Sequence, residues 1–357
     1  MTGPHTLADA VPAADALPQA AGQAPRSAWL SRIWERSQTL LPTLVALVLL
    51  FGMLIYAEVA YGRVFHAGTI SSLLVSFAPT MILAVGMTIV IVSAGIDLSV
   101  GAVVAFSSVA GVMLMNIGVN GWLGILLMIG FGALFGLLAG VMIQYFNVQP
   151  FIATLAMMFL ARGLASILST TPVIAPEDSP LLLLATDWKL IDGPKVNDFT
   201  ITPGLLIAVL VVIGAVFFLH RTRTGRTVYA IGGNESSAQL MGLPVARTRV
   251  WIYVISGALA GLAGAVYTAE VGGKAQNVTG LGWELDAIAA VVIGGTLLTG
   301  GAGYVLGSIV GVFVLAALRL IITKDGTISP EYLTIITGAV LLAFVLLQRA
   351  LTRRRRQ

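Results

Sequence analysis

The stretch Ser93–Ala102, "SAGIDLSVGA", decides how this chain is read. Asp97 is the only Asp, Glu, Lys, Arg or His between His66 and Arg162. Without a break, the apolar run Thr69–Asn116 would form one helix about 72 Å long at about 1.5 Å per residue. A bilayer's hydrocarbon core is about 30 Å thick, so the helix must turn, and "AGIDLSVG" is the only stretch that offers a turn. Gly95 is expected to permit it. Asp97 is expected to accept hydrogen bonds from the freed N–H groups of Ser99 and Val100, with Ser99 assisting and Gly101 closing the motif. A carboxylate at mid-bilayer costs about 2.5–3.5 kcal/mol on insertion scales, so it needs such partners. Two roles stay open for it: a structural cap, or a gate that meets its neighbour in one conformation only.

The rest of the composition agrees with a membrane setting. Of the 357 residues 57% are hydrophobic and 10% charged, with a mean hydropathy of +0.95, whereas soluble domains carry about 25% charged residues. The fold class expected is an all-α membrane protein with about ten transmembrane helices. These lie near Pro42–Ala60, Thr69–Val92, Leu98–Asn116, Trp122–Ile143, Pro150–Leu168, Ile201–Leu219, Val250–Val271, Glu284–Leu298, Tyr304–Ile322 and Tyr332–Gln348. The eighth is the shortest and is a candidate for a re-entrant segment. Residues 1–41, rich in Ala and Pro, are expected to be a disordered cytoplasmic tail. Residues 42–350 form the transmembrane domain, and 351–357 a basic cytoplasmic tail.

Charge sets the orientation. Basic residues gather at Arg26–Arg36, His220–Arg226, Arg247 with Arg249, and the terminal "RRRR". Placing the N-terminus inside puts each of these strips in the cytoplasm, as basic loops require. The acidic connector Thr170–Thr200, with Glu177, Asp178, Asp187, Asp192 and Asp198 against Lys189 and Lys195, then falls outside. The net charge of +4 resides in these strips and does not indicate nucleic-acid binding. There is no cysteine, and the three histidines (His5, His66, His220) are scattered, so no metal site is expected.

A second break follows the same grammar. "VVIGGTLLTGGAGYVLGSIVGV", Val291–Val312, interrupts an apolar run near Gly300 and suggests two related halves, as transporter folds tend to show. Just before it, Glu284 and Asp286 fall in the first turn of a helix, where negative charge suits the dipole. The glycine-rich segments Gly130–Gly140 and Ser256–Val266 are expected to pack closely against neighbouring helices. Candidates to line a polar path are Asn116, Phe151, Thr154, Glu284 and Asp286, with Gln144, Asn147, Gln149 and Trp283 beside them.

The basic loop between two spans carries "GGNESSAQLMGLP", Gly232–Pro244. Asn234 reads as an N-cap, Glu235, Ser236 and Ser237 open a short helix, and Gly242 before Pro244 ends it. A short capped helix with no core of its own is best explained as an element presented to a cytoplasmic partner. No GxxxxGK[ST] pattern occurs, so the chain has no phosphate cradle for ATP. An ion-coupled secondary transporter of a small polar solute is the competing reading, but Asp97, Arg162 and Arg319 are few for that class, and the two arginines can snorkel.

"VGMTIVIVSAGIDLSVGA", "FIATLAMMFLARG", "VYAIGGNESSAQLMGL" and "WELDAIAAVVIGGTLLTGG" resemble the sugar permease subunits of bacterial ABC importers. The likeness is to the ribose and galactofuranose branch, nearest a galactofuranose permease, and covers roughly Val64 to Ala350. The family often reads "GGIDLSVG" where Ser93 and Ala94 here precede Gly95. The resemblance implies a chain that is not itself an enzyme and binds no cofactor, with ATP and Mg held by a separate ATP-binding subunit. That subunit docks at Asn234, Glu235, Ser236, Ser237 and Gly242. It further implies an extracytoplasmic sugar-binding protein, a second permease chain as homo- or hetero-dimer, and residence in the bacterial inner membrane.

Overall fold

The computed structural model describes residues 28–191, 198–326 and 331–353. Most of the expected N-terminal tail, Asp192 and Lys195 of the acidic connector, and the last four residues of the basic tail lie outside them. Two compact units are distinguished, residues 1–38 and 39–357; the second holds every element beyond the first turns of α1.

The helices run α1 (Ala28–Tyr61), α2 (Ala67–Ser76), α3 (Ala78–Val92), α4 (Val100–Asn116), α5 (Gly121–Tyr145) and α6 (Pro150–Leu168). After a connector come α7 (Pro203–Arg221), α8 (Arg223–Gly233), α9 (Glu235–Leu240), α10 (Val245–Glu270), α11 (Trp283–Ile293), α12 (Val305–Asp325) and α13 (Glu331–Arg353). Among the described residues the expected all-α class holds apart from four strands of two to four residues: β1 (Val173–Ile174), β2 (Trp188–Ile191), β3 (Phe199–Ile201) and β4 (Lys274–Ala275). β1 pairs antiparallel with β4, and β2 with β3.

Among the described residues six helices are long and apolar enough to cross a membrane: Leu41–Tyr61 of α1, α5, α6, α7, α10 and α12. α2 and α3, bent by 48° at Phe77, make a seventh if taken as one span. Pro79 explains the bend, because it lacks the N–H that would continue the ladder through Phe77. The expected ten spans are not confirmed among the described residues. α4 and the apolar stretch Thr334–Leu346 fall short in length, and α11 has 11 residues, about 16 Å of rise. For α4 and α11 the breaks beside them take up residues that the hydropathy assigned to a span.

α3 is the centre of the molecule, packed by α7, α10, α11 and α12. Every residue of α3 except Thr80 is buried. A helix apolar all round has no solvent face, and its position follows from that. The two glycine-rich segments find each other: Gly132 and Gly136 of α5 lie on the backbone of Gly257 and Tyr253 of α10, and Gly261 of α10 lies on that of Met128. Neither helix could carry a Cβ at these points without separating, which is the small-residue mode of packing in lipid.

Candidate functional site

Both breaks open with the same helix stop. At the end of α3, Gly95 N donates to Val90 O (3.0 Å) and Ala94 N to Ile91 O (2.9 Å). At the end of α11, Thr296 N donates to Val291 O (3.2 Å) and Gly295 N to Val292 O (2.9 Å). The residue in the left-handed region is Gly295 (φ 99°) in one and Ala94 (φ 62°) in the other. These are Schellman stops, in which the left-handed residue is usually glycine. The expected role of Gly95 is therefore corrected: Ala94 makes the turn. Gly95 is required for space, since a Cβ there would lie 2.5 Å from the Tyr253 hydroxyl of α10.

Asp97 is 1% exposed. Its Oδ1 accepts from Ser99 N (2.9 Å) and Ser99 Oγ (2.6 Å), and its Oδ2 accepts from Ser256 Oγ of α10 (2.8 Å). The expected bond from Val100 N is not formed among the described residues; Ser256, 159 positions away in sequence, supplies the third donor. Ser256 lies near the middle of α10, so the carboxylate ties the broken segment to a long helix at mid-depth. Gly101 brings α4 onto the backbone of Gly280 and the carboxylate of Glu284.

The two breaks touch each other. A Cβ on Gly300 (φ 80°) would lie 2.7 Å from the Ala94 Cβ, and Gly301 N donates to Val92 O (2.9 Å). α8 closes the junction from the side. Gly232 lies directly on the Val92 carbonyl, with Gly301 N 2.5 Å from where its Cβ would stand. Tyr229 donates its hydroxyl to Gly303 O (2.7 Å), and His220 stacks on Tyr304 at 6.0 Å between ring centres. Burial of the Tyr229 phenol away from water pushes its pKa up to about 12, so it remains a donor throughout the physiological range.

α9 follows α8 and is held on three sides. Asn234 Oδ1 accepts from Ser237 N (2.8 Å) at its start, and Gly242 (φ 73°) ends it, with Leu243 N donating to Ala238 O (3.1 Å). Glu235 pairs with Arg249 of α10, and Ala238 packs with Ile231 and Val245. Leu240 at 90% and Met241 at 67% exposure project from this clamped turn.

The remaining candidates are dispersed. Thr154 is fully buried, bonding Pro150 O (2.9 Å) of its own helix and reaching Ile96 O (3.3 Å). Asn116 donates to Ile174 O (3.0 Å) at the far end of α4, and Phe151 is exposed. Asp286 lies 3.9 Å from Arg319 of α12, with both side chains partly exposed. Arg162, which the sequence offers only as a possible snorkelling cation, bonds Asn277 O (2.8 Å) and Thr279 O (2.7 Å) and so clamps the loop before α11. That role and the contact between the breaks have no local sequence signal.

Three curated relatives are similar to this chain over most of its length. The fructose import permease protein FruG of Bifidobacterium longum is 51% identical over 318 residues, 89% of this chain and 93% of its own. The ribose import permease protein RbsC of Bacillus subtilis is 40% identical over 78% of this chain and 84% of its own. A second B. longum protein, the fructose import permease protein FruF, is 34% identical over 73% of this chain and 72% of its own. No solved structure matches the chain. The family described as the branched-chain amino acid transport system / permease component matches residues 69–345, and this chain belongs to it.

Proposed function

We propose that this chain is the transmembrane permease subunit of an ABC importer that takes up a monosaccharide. The family description speaks of branched-chain amino acids, but the permeases named for fructose and ribose cover most of the chain at 34–51% identity. Fructose leads among the sugars, because the highest of these identities belongs to a fructose permease; ribose and galactofuranose follow. The chain carries no nucleotide cradle, so ATP and Mg are held by a separate ATP-binding subunit. An extracytoplasmic binding protein delivers the sugar. A second permease chain completes the path, and the match to both FruG and FruF of one organism favours a non-identical partner. The protein resides in the bacterial inner membrane with the α8–α9 segment in the cytoplasm, because His220, Arg221, Arg223, Arg226, Arg247 and Arg249 gather there.

One observation carries this reading: α9 is clamped by Asn234, Glu235 and Gly242 while Leu240 and Met241 stand in the open. Apolar side chains on a rigid basic-flanked turn suit insertion into a pocket of the ATP-binding subunit. α8, joined to α9 through Asn234 and packed on it through Ile231 and Ala238, bears on both breaks through Gly232 and Tyr229. Movement of α9 is thereby passed to the junction that holds Asp97. The test is co-purification of the ATP-binding subunit with variants Leu240→Asp and Met241→Asp. Both variants should insert normally and recover little of that subunit. Normal recovery and transport would refute the docking assignment.

A further inference from the structure

β2 and β3 form a two-stranded hairpin in the connector between α6 and α7. Trp188 stands opposite Ile201, Lys189 opposite Thr200, and Ile191 opposite Phe199. The register shifts between Lys189 and Ile191, which leaves Leu190 as the extra residue of a bulge. Residues opposite each other share a face. Trp188, Ile191, Phe199 and Ile201 therefore lie on one face, while Lys189 and Thr200 lie on the other with Asp198. The contacts agree with this division. Lys189 Nζ lies 3.5 Å from Asp198 Oδ2. Ser71 Oγ of α2 donates to Thr200 O (2.5 Å) and accepts from Thr200 N (3.1 Å), so the polar face is held by α2. Ile201, next to α7, packs against the main core. Along β2 the apolar side chains stay open: Trp188, Leu190 and Ile191 are 50%, 62% and 56% exposed.

What covers this strand follows from where the hairpin is attached. Only Thr202 separates β3 from α7; it caps the helix, its Oγ1 accepting from Leu205 N (3.2 Å). α7 is one of the six spans and has 19 residues, about 28 Å of rise against a hydrocarbon core of about 30 Å. Its two ends thus lie close to the two interfaces. Leu206, Leu210, Ile213 and Phe217, exposed at helical spacing, give it a stripe that lipid solvates. The basic segment begins at its far end with His220 and Arg221, so the hairpin stands at the opposite interface. An indole with a polar N–H beside aliphatic side chains is the chemistry that favours the headgroup region. We propose that β2 lies in that region, with Trp188, Leu190 and Ile191 in contact with phospholipid and Lys189 turned to Asp198. Through Ser71 this anchor fixes the end of the bent α2–α3 pair. Asp187, Lys189 and Asp198 leave no positive charge in excess among the described residues of the hairpin, so the contact is apolar and needs no anionic lipid. That the leaflet is the outer one rests on the orientation proposed above; the contact itself does not.

The chain has no cysteine, so single thiols can be placed without background. Leu190→Cys and Ile191→Cys, both at exposed positions, are labelled with bimane in the full chain. The labelled chains are placed in phosphatidylcholine nanodiscs, which leave both membrane faces open to solutes. Asp178→Cys, exposed earlier in the connector, is the aqueous reference, and Leu210→Cys on α7 the lipid reference. Fluorescence is quenched from the bilayer by phosphatidylcholine spin-labelled near the top of its acyl chain, and from water by iodide. The expected result is that the spin label quenches positions 190 and 191 severalfold more than position 178, and that iodide quenches them severalfold less. Probes at 190 and 191 that iodide reaches as it reaches 178, without quenching from the lipid, would overturn the anchor. Probes that neither quencher reaches, or that become shielded from iodide only when a purified binding protein is added, would also overturn it and assign the strand to a protein contact. No transport is measured, so the result stands apart from the importer reading.

Discussion

Gly232→Ala adds one methyl where two backbones meet. The new Cβ would overlap the Val92 carbonyl oxygen and stand 2.5 Å from Gly301 N and 2.9 Å from Val92 C. All three are backbone atoms at the two breaks, so no side chain can swing aside. α8 must withdraw by about an ångström or more, or the junction must open. Overpacking of this kind costs about 1–3 kcal/mol, while alanine in a helix returns up to about 1 kcal/mol over glycine. The backbone overlap places the cost at the upper end of that range, so the net is a destabilisation of about 2 kcal/mol, a factor of about 30 in the balance between intact and opened junctions. Gly233 provides the control, because nothing lies within 4 Å of a Cβ built there. Gly233→Ala should be neutral or slightly stabilising. Thermal unfolding in detergent and sugar uptake in proteoliposomes are measured for both variants. Gly232→Ala should melt lower and lose most of its uptake, with Gly233→Ala close to wild type. Indistinguishable variants would refute the idea that α8 bears on the breaks through Gly232.

Ala94→Gly should stabilise the chain by roughly 1 kcal/mol in a thermal melt, since the left-handed conformation (φ 62°) strains a residue with a Cβ by about 1–2 kcal/mol, less the entropy of an added glycine. Asp97→Asn keeps an acceptor oxygen for Ser99 and should retain expression and most stability, whereas Asp97→Leu strands Ser99 N and the hydroxyls of Ser99 and Ser256 at about 1–3 kcal/mol each. Full expression of the Asn variant without transport would instead assign Asp97 a charge-dependent gate, and equal behaviour of the Asn and Leu variants would contradict both roles. Arg162→Met removes two bonds to Asn277 and Thr279 carbonyls, each of the charged type worth about 1.5–3 kcal/mol. Faster hydrogen exchange in the loop ahead of α11, with α3 unchanged, is the expected signature.

What the sequence discloses here is what local chemistry controls. A lone carboxylate in an apolar run forces a break at Asp97, and Asn234 with Gly242 delimits α9, because caps act over three or four residues. The identity of the turning residue was not legible, since residue preference points to Gly95 while Tyr253, distant in sequence, occupies the space its Cβ would need. The two glycine-rich segments announce close packing without saying that α5 and α10 are each other's partners. Asp286 and Arg319 read separately as a dipole charge and a snorkelling cation; only the return of α12 onto α11 sets them 3.9 Å apart. Hydropathy counts apolar residues whether or not they are helical, and so it assigned full spans to α4 and α11.

On the proposed function, this permease moves sugar only when a separate subunit hydrolyses ATP. Uptake of labelled D-fructose, D-ribose and galactofuranose is measured in liposomes carrying the permease pair, the ATP-binding subunit and the binding protein, each omitted in turn. Uptake of at least one sugar is expected with all components and ATP, and none when the ATP-binding subunit or ATP is left out. Uptake that continues without ATP and its subunit, yet collapses when the proton or sodium gradient is dissipated, would contradict it and identify an ion-coupled carrier.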